Sequence, residues 1–202
     1  MDLTKLLEIQ NNLDERIIDK KGLQTADLLS KKILALQVEV GELANEWRGF
    51  KFWSEDQEPR FKRESLAFPN PGEPYLYATY PLLEEYVDCV HFFLSIANEK
   101  GWQDHLYIPV EAVEDLREEG FDGGITGAFS ELLYFLSNIA VEKNEDHFFK
   151  RLDLSKHEFS FRSAWFLFIS IGIIEFDFSF EQIEQAYHEK NLTNHQRQDA
   201  GY

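Results

Sequence analysis

The 202-residue chain has little cysteine, little basic charge and no long apolar run. Cys89 is its single cysteine, which excludes an internal disulfide and fits a reducing cytosol. Lysine and arginine number 20 against 37 acidic residues, and the net charge of −17 argues against binding to nucleic-acid polymers or membrane surfaces. The most apolar run, 163–174, is too short to span a bilayer. No signal peptide is evident, so we expect a cytoplasmic protein.

Aromatic residues, in contrast, are abundant. They make up 15% of the chain, more than a disordered sequence carries, and the length suits one domain with a real core. We therefore expect a single domain over 1–202. Five of the six prolines fall between residues 59 and 81, which predicts a long loop without regular structure over about 54–80. A second insertion, at about 102–124, contains a short acidic helix predicted from Glu111 to Glu119.

Two predicted helices carry pairs of carboxylates. Apolar residues at 29, 33, 36, 40, 43 and 47 predict a helix with one core-facing stripe, and Glu39 and Glu42 lie one turn apart at its edge. The second helix carries Glu85 and Asp88, and Asp88 is the only charged residue between Tyr86 and Ala97 when histidine is counted as neutral. A helix that is apolar nearly all round is buried, so these carboxylates should enter the interior, where lone charges are costly.

Two facing carboxylate pairs make an all-oxygen site suited to Mg²⁺. Such a pair on a solvated helix is usually surface charge, and the residues alone leave open a helical interaction protein without enzymatic activity. A di-iron carboxylate bundle is disfavoured, because it needs Glu-x-x-His on two helices and this sequence contains none. The carboxylate pairs therefore favour a magnesium site.

A basic cluster stands near the C-terminal end of this acidic chain. Lys190, Asn191, Asn194 and Arg197 fall within eight residues. Lysine supplies a point charge and arginine a fork for phosphate oxygens. A helix with a few cations is also ordinary, so a plain surface remains the alternative to phosphate binding.

Four segments together resemble the dimeric all-α dUTPases of the MazG-like nucleotide pyrophosphatase superfamily. They are Leu7 to Asp14, Glu39 to Trp53 with Glu39-x-x-Glu42 and Glu46-Trp-Arg-Gly-Phe-Lys-Phe-Trp53, Glu85-x-x-Asp88, and Tyr187 to Tyr202. The resemblance implies an all-α helical bundle, a homodimer, and Mg²⁺-dependent hydrolysis of dUTP to dUMP and pyrophosphate, with dUDP as a further substrate to test. A pyrophosphatase of the same superfamily with another base preference, such as dCTP, is the alternative.

The resemblance also implies roles for individual residues. Glu39, Glu42, Glu85 and Asp88 would hold two or more Mg²⁺ ions, with Glu42 or Glu39 as the catalytic base. Lys51, Lys190, Asn194 and Arg197 would bind the phosphates. Gln10, Trp53, His91, Phe92 and Asn191 would contact the base and the sugar. Asp14 stands where an asparagine is expected in many relatives, so this position departs from the pattern.

Overall fold

The computed structural model describes residues 1–70, 73–141 and 153–201. Within these ranges the chain forms seven α-helices and one pair of antiparallel strands. In order, these elements are α1 Leu3–Lys21, α2 Leu29–Trp47, β1 Arg63–Asn70, β2 Glu73–Thr79, α3 Pro81–Lys100, α4 Val110–Glu119, α5 Gly124–Val141, α6 Lys156–Ser170 and α7 Phe180–Asp199. A 3₁₀ turn, Gln103–Leu106, precedes α4, and a π-helical turn, Ile171–Glu175, extends α6. The predicted all-α class is confirmed.

Helix α1 has clear signals at both ends. The Asp2 side chain accepts a hydrogen bond from the backbone N–H of Lys5, and Gly22 ends the helix with φ of +65°. That left-handed conformation suits glycine, and cations in the last turn favour the helix C-terminus. Helix α1 therefore ends at Lys21, the residue before Gly22.

Helices α2 and α3 pack against each other at the centre of the molecule. The stripe predicted for α2 is buried, with Ile33, Leu36, Val40, Leu43 and Trp47 in the core. Helix α3 begins with a proline at its first position and is buried along most of its length. It also contacts α1 and α7, which brings the carboxylate pairs and the C-terminal cluster towards one region.

The prediction of an irregular loop over 54–80 was wrong for residues 63–70 and 73–79, which form two antiparallel strands. Leu66 pairs with Leu76 and Ser65 with Tyr77 across these strands. Cross-strand pairs such as Leu66 with Leu76 stabilise antiparallel strands through contacts between side chains. These contacts outweighed the tendency of the prolines to form turns. Residues 71–72 lie outside the described residues. In the 102–124 insertion, α4 matches the predicted acidic helix and ends at Gly120.

The remaining helices, α5 to α7, complete the hydrophobic core. Helix α5 ends at Val141, and residues 142–152, which follow it, lie outside the described ranges. A capping box of Ser179 and Gln182 opens α7. At Gly172, in the π-helical turn, any side chain would overlap the Tyr86 ring. This close approach explains why a glycine stands there.

Helix α5 is long and apolar enough, by length and mean hydropathy, to cross a membrane. Among the described residues it is the one helix that meets this test by itself, and α6 with α7 meets it only as a pair bent by 113°. The core helix of a soluble protein passes the same test, so length and hydropathy do not assign α5 to a membrane.

Candidate active site

Three carboxylates from two helices meet where α2 packs on α3. Glu39, Glu85 and Asp88 each offer an oxygen, and these oxygens all lie within 4.8 Å of one another. The three-residue spacing on α3 places Glu85 and Asp88 on one face, and the α2–α3 contact brings Glu39 opposite them. All three side chains are half-buried. We call these three residues the carboxylate cluster.

The carboxylate cluster is electrostatically strained. Burial, and then the neighbouring carboxylates, raise the pKa of Glu39 and the pKa of Glu85 to about 7. Burial also raises the pKa of Asp88, although hydrogen bonding and charge from Lys190 oppose that rise. Groups with such neighbours bind either protons or a cation, and an all-oxygen donor set suits a hard divalent cation such as Mg²⁺.

Glu42, the fourth predicted ligand, stands beside the carboxylate cluster and outside it. Its side chain is exposed, whereas Glu39 one turn earlier is half-buried. Its charge nevertheless helps raise the pKa of each of the three clustered carboxylates, so it lies within electrostatic reach. Three of the four predicted metal ligands are thus brought together, with the fourth at their rim.

Helix α7 brings its cations to the same region. The Lys190 ammonium forms an ion pair and a hydrogen bond with the Asp88 carboxylate. Arg197, although exposed, lowers the pKa of Asp88 through its charge, and Asn194 is half-buried. The predicted phosphate cluster therefore faces the carboxylates. Tyr202, the last residue of the fourth segment, lies outside the described residues.

A second group of polar side chains is buried between α1, α3 and α7. The Gln10 Oε1 atom accepts hydrogen bonds from the Tyr187 hydroxyl and from His91 Nδ1, each at 2.8 Å. Its Nε2 atom donates to Asp14 Oδ1, also at 2.8 Å, and the Ser95 hydroxyl donates to Asp14 Oδ2 at 2.5 Å. We call these five residues the Gln10 network.

Two residues predicted to bind the nucleoside, His91 and Asn191, each carry a buried nitrogen that has no hydrogen-bond partner among the described residues. These atoms are His91 Nε2 and Asn191 Nδ2, and each residue is only 6% exposed. Burial, aided by the charge of Lys190, lowers the pKa of His91 to about 3, so the imidazole is neutral. Buried polar groups are normally paired, so an unpaired acceptor and donor at this place fit a ligand.

Three further residues predicted to contact the nucleotide, Lys51, Trp53 and Phe92, are not members of the carboxylate cluster or of the Gln10 network. Lys51 donates to the backbone carbonyl of Asn45 at 3.2 Å, near the end of α2. Trp53 is 65% exposed and packs edge-on against Phe50 and Phe52. Phe92 is half-buried on α3 and packs against the core. Their predicted contacts with the nucleotide stay predictions.

Sequence reasoning missed two members of the Gln10 network. Ser95 received no role, although it lies one turn after His91 on α3. Tyr187 was noted only as the start of a segment, yet its ring stacks on His91 with centroids 4.1 Å apart. Its position one helical turn before Asn191 was the signal available in the sequence.

Comparison with known proteins agrees with this arrangement. A search of curated proteins found no match. A family model described as dUTPase matches residues 2–65 and 77–202, which include all four segments and both polar groups. The unmatched residues, 66–76, include parts of β1 and β2. Because the match covers nearly the whole chain, this protein belongs to the all-α dUTPase family, and its activity is that of a dUTP diphosphatase.

Proposed function

We propose that the protein hydrolyses dUTP to dUMP and pyrophosphate with Mg²⁺ held by Glu39, Glu85 and Asp88. The observation that carries this proposal is the meeting of three half-buried carboxylate oxygens within 4.8 Å of one another. Bound Mg²⁺ supplies positive charge for the phosphates and lowers the pKa of a coordinated water. We propose two or more ions, with exposed Glu42 completing the set of ligands.

The proton of the attacking water passes to a glutamate. Glu42 is our candidate base, because it stands at the rim of the carboxylate cluster with an exposed side chain, and Glu39 is the alternative. A base must lie within hydrogen-bond reach of the water whose proton it accepts. The water attacks the α-phosphorus, and the bond from that phosphorus to the bridging oxygen breaks to release pyrophosphate.

The leaving phosphates are held by α7. Lys190, Asn194 and Arg197 are four and three residues apart, so they share one face of the helix. Lys190 pairs with Asp88. If Asp88 served as a metal ligand, its charge would be neutralised at the metal site and Lys190 would be available to the phosphates. Lys51 is a further candidate for phosphate binding.

The nucleoside is recognised by His91, Asn191 and Gln10, with Phe92 and Trp53 packing against the base. dUTP carries two neutral hydrogen-bond donors, the uracil N3–H and the 3′ hydroxyl. His91 Nε2, a buried acceptor, suits either donor, and Asn191 Nδ2 suits an oxygen next to it. Cytosine has a lone pair where uracil has N3–H, so an obligate acceptor at that place would disfavour dCTP.

We also propose that the protein acts as a homodimer in the cytoplasm. The apolar helix α5 has only 28% of its residues buried within the chain, and it exposes Tyr134 and Val141. Such a surface is typical of an interface. Sedimentation at several concentrations would test the dimer, and a monomer at all of them would exclude it.

One assay tests the proposed reaction. Pyrophosphate release is measured from dUTP, dCTP, dTTP and UTP, with Mg²⁺ and with a chelator, and phosphate release from dUDP is measured in parallel. We expect release from dUTP in the presence of Mg²⁺ and little from the other triphosphates. Comparable rates for dCTP and dUTP would instead identify a pyrophosphatase of broader base preference.

A further inference from the structure

Asp14 departs from the expected asparagine and yet occupies a well-defined place in the fold. Its carboxylate is bonded on both oxygens, to Gln10 Nε2 at 2.8 Å and to the Ser95 hydroxyl at 2.5 Å. Lys32 Nζ lies 3.7 Å from the Ser95-bonded oxygen and 2.6 Å from Glu99. Burial raises the pKa of Asp14, whereas the Ser95 bond and the Lys32 charge lower it. A half-buried carboxylate with this many partners is held in one orientation.

The orientation of Asp14 decides the orientation of the Gln10 amide. An ionised carboxylate only accepts hydrogen bonds, so the Gln10 group facing it must be the NH₂ group. The carbonyl oxygen, Oε1, must then point away from Asp14, towards His91 Nδ1 and the Tyr187 hydroxyl. A flipped amide would place two oxygens against each other at hydrogen-bond distance.

The orientation of Gln10 in turn decides which nitrogen of His91 carries the proton. Because Gln10 Oε1 only accepts, His91 Nδ1 must donate to it across 2.8 Å. A neutral imidazole has a single N–H, so Nε2 is left as an acceptor. That atom is buried and has no partner within the described part of the chain. The stacked Tyr187 ring, 4.1 Å away, holds the imidazole plane.

We propose that Asp14 is a positioning residue that fixes the Gln10 amide and thereby keeps the His91 proton on Nδ1 and Nε2 as an acceptor for a nucleoside N–H or O–H. This inference deepens the proposed nucleoside recognition and rests on it. Asp14 itself touches no substrate group. It acts through Gln10, and the Ser95 and Lys32 contacts keep its carboxylate in place.

The test is the tautomer of His91 in the ligand-free protein, read from ring ¹⁵N shifts and long-range ¹H–¹⁵N correlations. The His91 signals are assigned with His91→Gln. We expect the Nδ1–H tautomer in the native protein and in Asp14→Asn, whose side-chain carbonyl still accepts from Gln10. Asp14→Leu removes the acceptor, frees the amide to flip, and should add a substantial Nε2–H population.

Kinetics provide the second readout. Asp14→Leu should raise KM for dUTP about tenfold while kcat changes less than about threefold, since loss of one well-formed hydrogen bond weakens binding by about that factor. Asp14→Asn should restore KM to within about twofold. Glu15→Leu, the exposed neighbour on the same helix, is the matched control and should leave both values unchanged.

The two ligand donors are distinguished with nucleotide analogues. 3′-Deoxy-dUTP and N3-methyl-dUTP are compared in the native protein and in His91→Gln, and the analogue whose penalty disappears in the variant identifies the group that His91 contacts. An unchanged Nδ1–H tautomer in Asp14→Leu would overturn the proposal. If Asp14→Leu does not fold, Asp14→Ala, which also removes the acceptor for Gln10, takes its place, and an unchanged tautomer and KM there would do the same. Absence of dUTP hydrolysis by the native protein would instead refute the proposed function.

Discussion

Two polar regions share helix α3 and differ in how their groups are paired. In the carboxylate cluster, Glu39 and Glu85 face like charges, and the pKa of each is raised to about 7. In the Gln10 network, the Gln10 amide has partners on both its oxygen and its nitrogen, and His91 is neutral. The carboxylate cluster needs further positive charge to offset the repulsion among its carboxylates. The Gln10 network is already ordered by hydrogen bonds and leaves His91 Nε2 available to a neutral ligand.

The contrast indicates a division of labour within one site. Repelling carboxylates gain more from a divalent cation than from water, because the cation relieves their mutual repulsion. A preorganised neutral network loses little entropy when it binds a base or a sugar. We therefore expect changes in the carboxylate cluster to abolish turnover, and changes around the Gln10 network to alter affinity.

The largest effect is expected from Glu85→Gln. Loss of a metal ligand should lower kcat for dUTP by about a thousandfold or more. The melting temperature of the metal-free protein should hold or rise, because one of the repelling charges is gone. Glu84→Gln, an exposed neighbour on α3, is the matched control and should remain within about twofold of the native kcat. Nearly full activity of Glu85→Gln and Asp88→Asn together would exclude the metal site.

Lys190→Gln should affect the carboxylate cluster and its phosphate contacts more than the Gln10 network. It should lower kcat/KM by about a hundredfold, because a charged phosphate contact is lost in a partly buried site. In the metal-free protein it should also lower the free energy of unfolding by about 1 kcal/mol, since Asp88 loses its partner. Lys20→Gln, at the end of α1, is the control for loss of one positive charge. Native kcat/KM in Lys190→Gln would show that the lysine serves only to pair with Asp88.

Asn191→Leu tests whether the buried Asn191 amide binds the nucleoside. It should raise KM for dUTP about tenfold. It should also leave the metal-free melting temperature equal or higher, because a buried Nδ2 without a partner is removed. Ser170→Ala is the matched control, since it removes another buried and unpaired group, and it should leave KM unchanged. A clear loss of stability in Asn191→Leu with unchanged KM would assign Asn191 to the core alone.

The smallest effect is the pH dependence of stability without metal. The pKa of Glu39 and of Glu85 is about 7 in the folded protein and near 4.5 in the unfolded chain. Between these values the folded state binds more protons, so the contribution of both groups to stability falls as pH rises from about 4.5 to 7. We expect the chelated native protein to melt at a lower temperature at pH 8 than at pH 5.5. Glu39→Gln combined with Glu85→Gln should reduce that difference, and an equal difference would contradict the strain in the cluster.

The fold could be predicted from the sequence wherever periodicity was strong. The apolar spacing of α2 and the apolar run of α3 are local patterns with one structural solution, and both helices lie where the spacing predicted them. The strand pair of 63–70 and 73–79 was missed, because prolines are read as loop signals. The cross-strand pairs that stabilise it, such as Leu66 with Leu76, are visible only once the register is known.

The contrast between local patterns and long-range contacts also explains which parts of the site could be predicted. Glu85 and Asp88 are three residues apart on one helix, so their common face follows from helix geometry. The contacts of Gln10 with His91 and Tyr187 join residues 81 and 177 positions apart, and no local pattern carries them. Asp14 was noticed only as a departure from the expected asparagine, and its partner Ser95 had no signal of its own.

The central claim is that the carboxylate cluster binds Mg²⁺ because its carboxylates repel one another and Lys190 compensates only part of their charge. Calorimetric titration of Mg²⁺ at pH 6.5, in buffers of different ionisation enthalpy and with a non-hydrolysable dUTP analogue present, measures binding and the protons it releases. We predict that the native protein binds Mg²⁺ and releases more protons than Glu85→Gln, because protons held by groups of pKa about 7 must leave when the cation binds. Binding without any difference in proton release between the two proteins, or no binding by the native protein, would contradict the account.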